Sequence, residues 1–574
     1  MGPILLVFFL LPQSAEGLTR GGMEKFDRGE YQEALRDFTR AIELNPLLSA
    51  AHNGRGRTRL VLKDHAGAIA DFSKAIQLAP EDCVPYNNRG LARKDSGDLD
   101  GALADYNKSI ELNSRYPAAW RNRGALWRVR KDLDRALQDL EKAIALAPDD
   151  PVSLNSRGNI KLDRGDWDGA KADYLRALEL NPKNALYHSS VGDVLVLQKD
   201  PQGALAHYQK ALDLNPRLVE AYAGRSNLRS LQNAHDEAIA DMNKALEIEP
   251  TNPSLWFNRG NSRYHKGDFQ GALIDYGKAL EANPKYAPAY GNRAHVQAAL
   301  GEHGKAMEDI NKGISLGLEE PVIFVLRGRL WENRKEVDAA FADYNRALRL
   351  NPNFTSGLES RGKLRLRHLQ TDEALEDFTR LAELLPQSGD AQSWKGKALE
   401  FKGDIDGAIA SFTKAIGIDP DHVDALFDRG VLLQGKGDWR ASRADFQRIM
   451  DGPGPGGYPA VRLWISRARL GERIPASKDL TGFFAARKGG NDWIAKVAVY
   501  LTGAATEKEL LEAAVAGGKE PSCAVSYYVG VMKMVDGDRE GAKAQFLKCR
   551  EAGRRKSYEY RSSVAELEAL EKGK

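Results

Sequence analysis

Four asparagines, Asn88, Asn122, Asn258 and Asn292, are separated by multiples of 34 residues. A side-chain amide donates to a peptide carbonyl and accepts from a peptide N–H, so a row of them can hold an extended chain with little regard to its sequence. The competing reading is local, with the same amides satisfying the ends of neighbouring helices. Three cations share the spacing further on, Arg329, Lys363 and Lys397, with Arg367 nearby. They would attract an acidic stretch of a partner, or simply form a solvated face. Cys523 and Cys549 suit either a disulfide, if the protein is exported, or a pair of buried thiols, and Cys83 is left over.

Chemistry beyond binding has little support. The chain has no His-Glu-x-x-His helix, phosphate-binding loop, nucleophile elbow or dinucleotide fingerprint. Its ten histidines are scattered, several at turns or outward positions such as His65, His235 and His303. Three cysteines are too few for a disulfide framework or a metal site. The run Asp-Gly-Pro-Gly-Pro-Gly-Gly at 451–457 looks superficially like a phosphate loop, but its prolines remove amide donors and no strand precedes it. No catalytic, cofactor-binding or metal-ligating residue is expected, and a hydrolase would have to lie in the non-repetitive tail.

The elements that place these residues follow from a 34-residue period. Pro46, Pro80, Pro148, Pro182, Pro216, Pro250, Pro284, Pro352, Pro386 and Pro420 fall on one grid. With each proline at position 32, position 20 is alanine in twelve consecutive units, from Ala34 and Ala68 to Ala408. Position 8 is mostly glycine (Gly56, Gly90, Gly158) and position 24 mostly aromatic (Phe72, Tyr106, Tyr174). Such a period predicts stacked supersecondary units, each touching only its neighbours. Each unit reads as two amphipathic helices, with glycine ending the first, aspartate capping the second and proline stopping it. Position 8 needs glycine because a side chain there would hold the two helices apart.

Position 7 is usually arginine and position 23 aspartate, as in Arg55 with Asp71 and Arg259 with Asp275. Both change together in Val191 with His207 and in Lys395 with Ser411, which predicts an Arg–Asp pair between the helices of one unit. If exposed, such a pair contributes about 0–1 kcal/mol. The first unit, with Gly21 and Asp37, does not fit.

Glycine at 8, alanine at 20, an aromatic at 24, a small residue at 27 and proline at 32 resemble the tetratricopeptide repeat (TPR) family over residues 15–456. The resemblance implies an all-α fold, a right-handed superhelix of about 12–13 helix hairpins whose first helices line a concave groove. Positions 2, 5, 6, 9, 12 and 13 would face that groove, which makes Asn88, Asn122, Asn258, Asn292, Arg329, Lys363 and Lys397 its candidate peptide-binding residues. The asparagines at position 6 resemble the ladder in the repeat arm of O-linked N-acetylglucosamine transferases. No clamp of the chaperone-binding kind is seen at position 5.

Beyond the repeats, the expectation is a break at 451–457, an irregular helical segment over 457–522 and a degenerate hairpin with a capping helix over 523–574. That segment includes helices near 458–470 and 506–516, the second opened by a Thr506–Glu509 capping box. The tail resembles that of bacterial envelope adaptors of the NlpI type. Residues 1–17 read as a signal-peptide apolar stretch with a cleavage site at Ala15-Glu16-Gly17, without a basic leader. Export would place the protein in the periplasm or outside the cell; otherwise it is cytoplasmic.

A formal charge of +3 over 574 residues argues against nucleic acid as a general partner, because phosphate binding needs a concentrated basic face. The sequence therefore points to a non-enzymatic scaffold for proteins or extended peptides, without cofactor, small-molecule substrate or membrane span. Its alternatives are a cytosolic assembly scaffold and a substrate-recruiting subunit of an enzyme complex.

Overall fold

The computed structural model describes residues 14–454, 456–487, 492–516, 522–553 and 557–573, and every regular element among them is helical. Residues 1–13 of the segment read as an export signal, and Pro455 within the glycine–proline run, lie outside the described residues. The first helix, Ala15–Asp27, begins inside the segment read as an export signal and buries Ala15 and Leu18.

Thirteen helix hairpins follow on the 34-residue grid, numbered here as repeats 1 to 13. Repeat 3, Cys83–Asp95 and Leu99–Leu112, is typical: its helices occupy positions 1–13 and 17–30. Position 15 adopts a left-handed backbone in all thirteen, seven times with glycine and six times with Lys63, Lys131, Lys199, Asn233, Lys335 or Leu369. The turn is therefore set by the hairpin and not by glycine alone. Asp98 at position 16 then accepts from the Gly101 amide at 2.9 Å, as predicted for the cap. The second helix stops at position 30. Position 31 is held extended (Asn45, φ −140°, ψ 92°) because the ring of the following proline disfavours helical backbone before it.

Close approach of the two helices follows from position 8. A Cβ on Gly158 would lie 2.5 Å from Cε1 of Tyr174, and one on Gly328 equally close to Tyr344. The aromatic at position 24 packs on the bare glycine backbone, with Ala102, Ala136 and their equivalents completely buried beside it.

The chain divides into two units, Met1–Leu300 and Gly301–Lys574. The first contains repeats 1–8 and the first helix of repeat 9. The second contains the rest of repeat 9, repeats 10–13 and the tail.

The tail is more regular than expected. Gly457–Arg469 and Arg473–Ala486 form a further hairpin in strict register, with Gly471 left-handed at position 15, Ala476 at 20 and Leu480 at 24. Trp464 occupies position 8, fully buried, and donates through Nε1 to Ser477 Oγ at 3.0 Å. The glycine–proline run thus falls between two successive hairpins of one register. A shorter hairpin follows, Trp493–Leu501 and Glu507–Ala516, its second helix opened by reciprocal Thr506–Glu509 bonds of 2.7 and 3.3 Å. Ser522–Val535 and Arg539–Glu551 restore the repeat geometry, with Gly530 against Phe546 and Asp538 capping Gly541 at 2.8 Å. Trp464, Val497, Tyr528 and Phe546 share one core. The terminal helix, Tyr558–Glu571, covers the last hairpin and also reaches back to repeats 12 and 13.

Candidate binding face

The predicted Arg–Asp pair is present but is neither exposed nor confined to one repeat. Arg259 grips Asp275 bidentately at 2.6 and 2.9 Å, and the carboxylate is fully buried. Arg263, at position 11, reaches the same carboxylate at 3.0 Å. The free nitrogen of Arg259 donates to Asn243 Oδ1 of the preceding repeat at 2.6 Å, while its guanidinium lies 4.6 Å from the Trp256 ring centroid. The arginine at position 7 therefore joins the two helices of its own repeat to the repeat before it. In repeat 1, where Gly21 holds position 7, Lys25 from position 11 takes Asp37 at 2.6 Å. In repeat 6, with Val191 at position 7, His207 turns instead to His188, their Nδ1 atoms 3.2 Å apart.

These bonds fix the roll of each first helix and so decide what its free side presents. In the first unit that side carries amides, of which Asn88, Asn122, Asn258 and Asn292 are half-buried and Asn87 is buried. Asn88 donates to Asn53 Oδ1 of the preceding repeat at 3.0 Å and accepts from Asn87 at 3.2 Å. Asn122 donates to Asn87 Oδ1 at 2.8 Å, and Asn292 to Asn261 Oδ1 at 2.7 Å. Asn258 has no side-chain hydrogen bond among the described residues. The amides thus link consecutive repeats to one another and not to helix ends. Asn88 and Asn122 each engage one of their two N–H groups in these bonds, which leaves the second for another acceptor.

The second unit presents cations with partners of their own. Arg329 donates to Ser360 at 3.1 Å and Ser356 at 3.0 Å. Lys363 pairs with Glu359 and Arg367 with Glu332. Lys363 and Lys397 lie 4.4 and 4.9 Å from the Trp394 centroid, and Lys397 also pairs with Asp428 at 3.3 Å. The aromatic between two ammonium groups and the carboxylates around them are a mixed surface rather than a bare basic stripe.

At position 9 the sequence reading found the late cations but missed the polar acceptors of the earlier repeats. Tyr174 donates to Asn159, Tyr276 to Asn261 and Tyr208 to Asp193, at 2.7–2.8 Å. The signal was available: tyrosine rather than phenylalanine at position 24 accompanies a polar acceptor at position 9 in repeats 5, 6 and 8. Burial pushes the Asp193 carboxyl up to about 6, against the Tyr208 bond that lowers it.

Cys523 and Cys549 are joined, their sulfurs 2.06 Å apart, and close the last hairpin; Cys83 is free and buried. Among the described residues no group of three or more His, Cys, Asp or Glu could hold a metal, and no helix is long and apolar enough to cross a membrane.

Among solved structures, the chain is similar to the Cut9–Hcn1 hetero-tetramer of the APC/C, at 14% identity over 81% of this chain and 96% of that one, TM-score 0.44. It is similar to yeast Tom70 at 19% identity over 77% and 98%, TM-score 0.34, and to Pseudomonas aeruginosa pilF at 20% over 37% and 97%, TM-score 0.35. No curated protein matches. Tetratricopeptide repeat models match residues 19–82, 87–151, 155–219, 253–286, 287–316, 360–423 and 399–458, and a TPR repeat model matches 227–267. With its hairpins in one register over that span, the chain belongs to the tetratricopeptide repeat family.

Proposed function

We propose that this protein is a non-enzymatic scaffold that holds protein partners along the face carried by its first helices. One observation carries the reading: amides at positions 5 and 6 stand on successive first helices of repeats 2 to 4, joined to each other, and Asn88 and Asn122 are half-buried with an N–H to spare. A pre-linked row of amides suits an extended peptide, whose backbone offers carbonyl and N–H groups irrespective of sequence. The partner in the first unit is accordingly an extended segment. The Lys363–Trp394–Lys397 cluster of the second unit suits a partner bringing both acidic and apolar groups.

The setting we favour is a bacterial envelope. Its supports are the apolar stretch before residue 15, the resemblance of the tail to envelope adaptors, and a cysteine pair of the kind that persists in oxidising compartments. Affinity capture from native lysate tests the scaffold, comparing the wild type with a variant carrying Asn88, Asn122, Asn258 and Asn292 all as alanine. Circular dichroism checks that the variant folds. Partners lost by the variant support the reading; partners all retained overturn the role of the amide row. Sequencing the mature N-terminus tests export.

A further inference from the structure

The terminal helix behaves toward repeats 12 and 13 as a ligand would. Tyr558 and Arg561, one turn apart, sit on first-helix positions of these repeats, Tyr558 on the position that carries Asn88 and Asn122 in the first unit. Tyr558 donates to Asp428 at position 6 of repeat 13, at 2.8 Å, and Arg561 meets Glu400 at position 12 of repeat 12, at 2.7 Å. Ala565, a further turn along, packs where repeat 13 has only Gly435, whose added Cβ would fall 2.9 Å from the alanine methyl. Anchors one turn apart on one helical face are the pattern of a helix laid in a groove.

The helix as a whole buries more polar residues than apolar ones. It buries Glu559, Ser562, Ser563, Glu566 and Leu567; Glu559, Ser562 and Glu566 bond with Tyr528, Arg462 and Arg469 of the tail hairpins, and Leu567 joins the tail core. Helices that belong to a core bury an apolar stripe, whereas polar burial with few apolar anchors marks interfaces that form and part. Satisfaction is incomplete: Ser563 Oγ and Arg462 Nε are buried without a hydrogen-bond partner. Packing is incomplete too, since a cavity of about 510 Å³ remains between the helix and the first helices of repeats 12 and 13, with Glu400 and Arg561 in its wall.

We propose that the terminal helix is a built-in occupant of the first-helix face of repeats 12 and 13. When it leaves, the same face takes a partner helix that presents an aromatic hydroxyl and an arginine one turn apart. This rests on the reading of that face as a protein-binding surface. Asp428 and Glu400 are its specificity determinants, because a partner lacking the cationic group would leave the buried Glu400 without Arg561's match, and one lacking the hydroxyl would leave Asp428 with Lys397 alone.

The test uses the full chain with a protease site inserted after Gly553. After nicking, a fluorescent synthetic peptide of residues 557–572 is added. The expected result is saturable exchange of the peptide for the nicked segment. The uncut chain should bind the peptide at least about tenfold more weakly, because its own helix competes at high effective concentration. Peptides with Tyr558→Phe or Arg561→Met should bind about tenfold more weakly, as should nicked chains with Asp428→Asn or Glu400→Gln. The peptide variants leave the receptor untouched, so a loss there is not misfolding. No exchange, or loss of helical signal in repeats 12 and 13 when the segment leaves, overturns the proposal. The assay contains no outside partner, so it can fail while capture through the amide row succeeds, and the reverse.

Discussion

The hydroxyl of Tyr208 donates to the carboxylate of Asp193 at 2.7 Å across the hairpin of repeat 6, where repeats 5 and 8 pair Tyr174 with Asn159 and Tyr276 with Asn261. Three repeats thus make one contact, and only one of them has a titratable acceptor. Burial holds the Asp193 carboxyl up at about 6, above its unfolded value near 3.8, so the folded state favours its protonated form. Its contribution is fully present below the unfolded value and is lost as the pH rises through 6. Asp193→Asn should therefore stabilise repeat 6 by about 1–3 kcal/mol at pH 8 and by almost nothing near pH 4. Hydrogen exchange of the amides in 185–214, at both pH values, checks this.

The histidine pair of the same repeat carries the opposite sign. Burial holds both His188 and His207 below the ordinary imidazole range; Lys210 adds to this at His188, and His188 itself and Lys171 add to it at His207. Asp200 and the Pro182 carbonyl act the other way. A depressed folded value means that the neutral pair stabilises above about 6.5 and that this is lost as the pH falls through the folded values. The double change Val191→Arg with His207→Asp restores the arrangement of the other repeats. It should flatten the loss of exchange protection in this repeat between pH 7 and pH 5; an unchanged slope would assign that loss to other groups.

Leu369 holds position 15 of repeat 11 with φ at 60°, a conformation that crowds the Cβ of any L-residue. Leu369→Gly should stabilise the protein by about 1 kcal/mol. The same change at Leu364, a buried residue within the preceding helix, should destabilise by several times as much. Denaturant midpoints of the two variants separate the effects.

Asp275 is the junction for Arg259 and Arg263, and it is completely buried. Asp275→Ala leaves two guanidinium groups facing an empty site and should cost about 3–5 kcal/mol. Arg263→Ala, which leaves the bidentate Arg259 pair in place, should cost much less. Equal losses from the two substitutions, measured by chemical denaturation, would contradict the ranking.

The hairpin repeat was legible in the chain without coordinates, because its constraints are local and recur. The proline at position 32 dictates extended backbone before it, and the glycine at position 8 admits the aromatic at position 24. Both signals appear often enough in one register to be read directly. The paired changes at positions 7 and 23 also showed that those two residues belong together. What stayed hidden is anything that depends on which atoms face one another across repeats. The amides at position 6 bond with amides of the preceding first helix, and the arginines at position 7 reach back to position 25, because stacking brings residues 35 and 16 positions apart into contact. Trp464 at position 8 hid a regular hairpin by removing the glycine that marks the others. The return of the terminal helix to Asp428 and Glu400 was likewise invisible, since contacts 130 and more residues apart leave no periodic trace. Local sterics write the repeat into the chain; the surface it presents is decided only when the repeats stack.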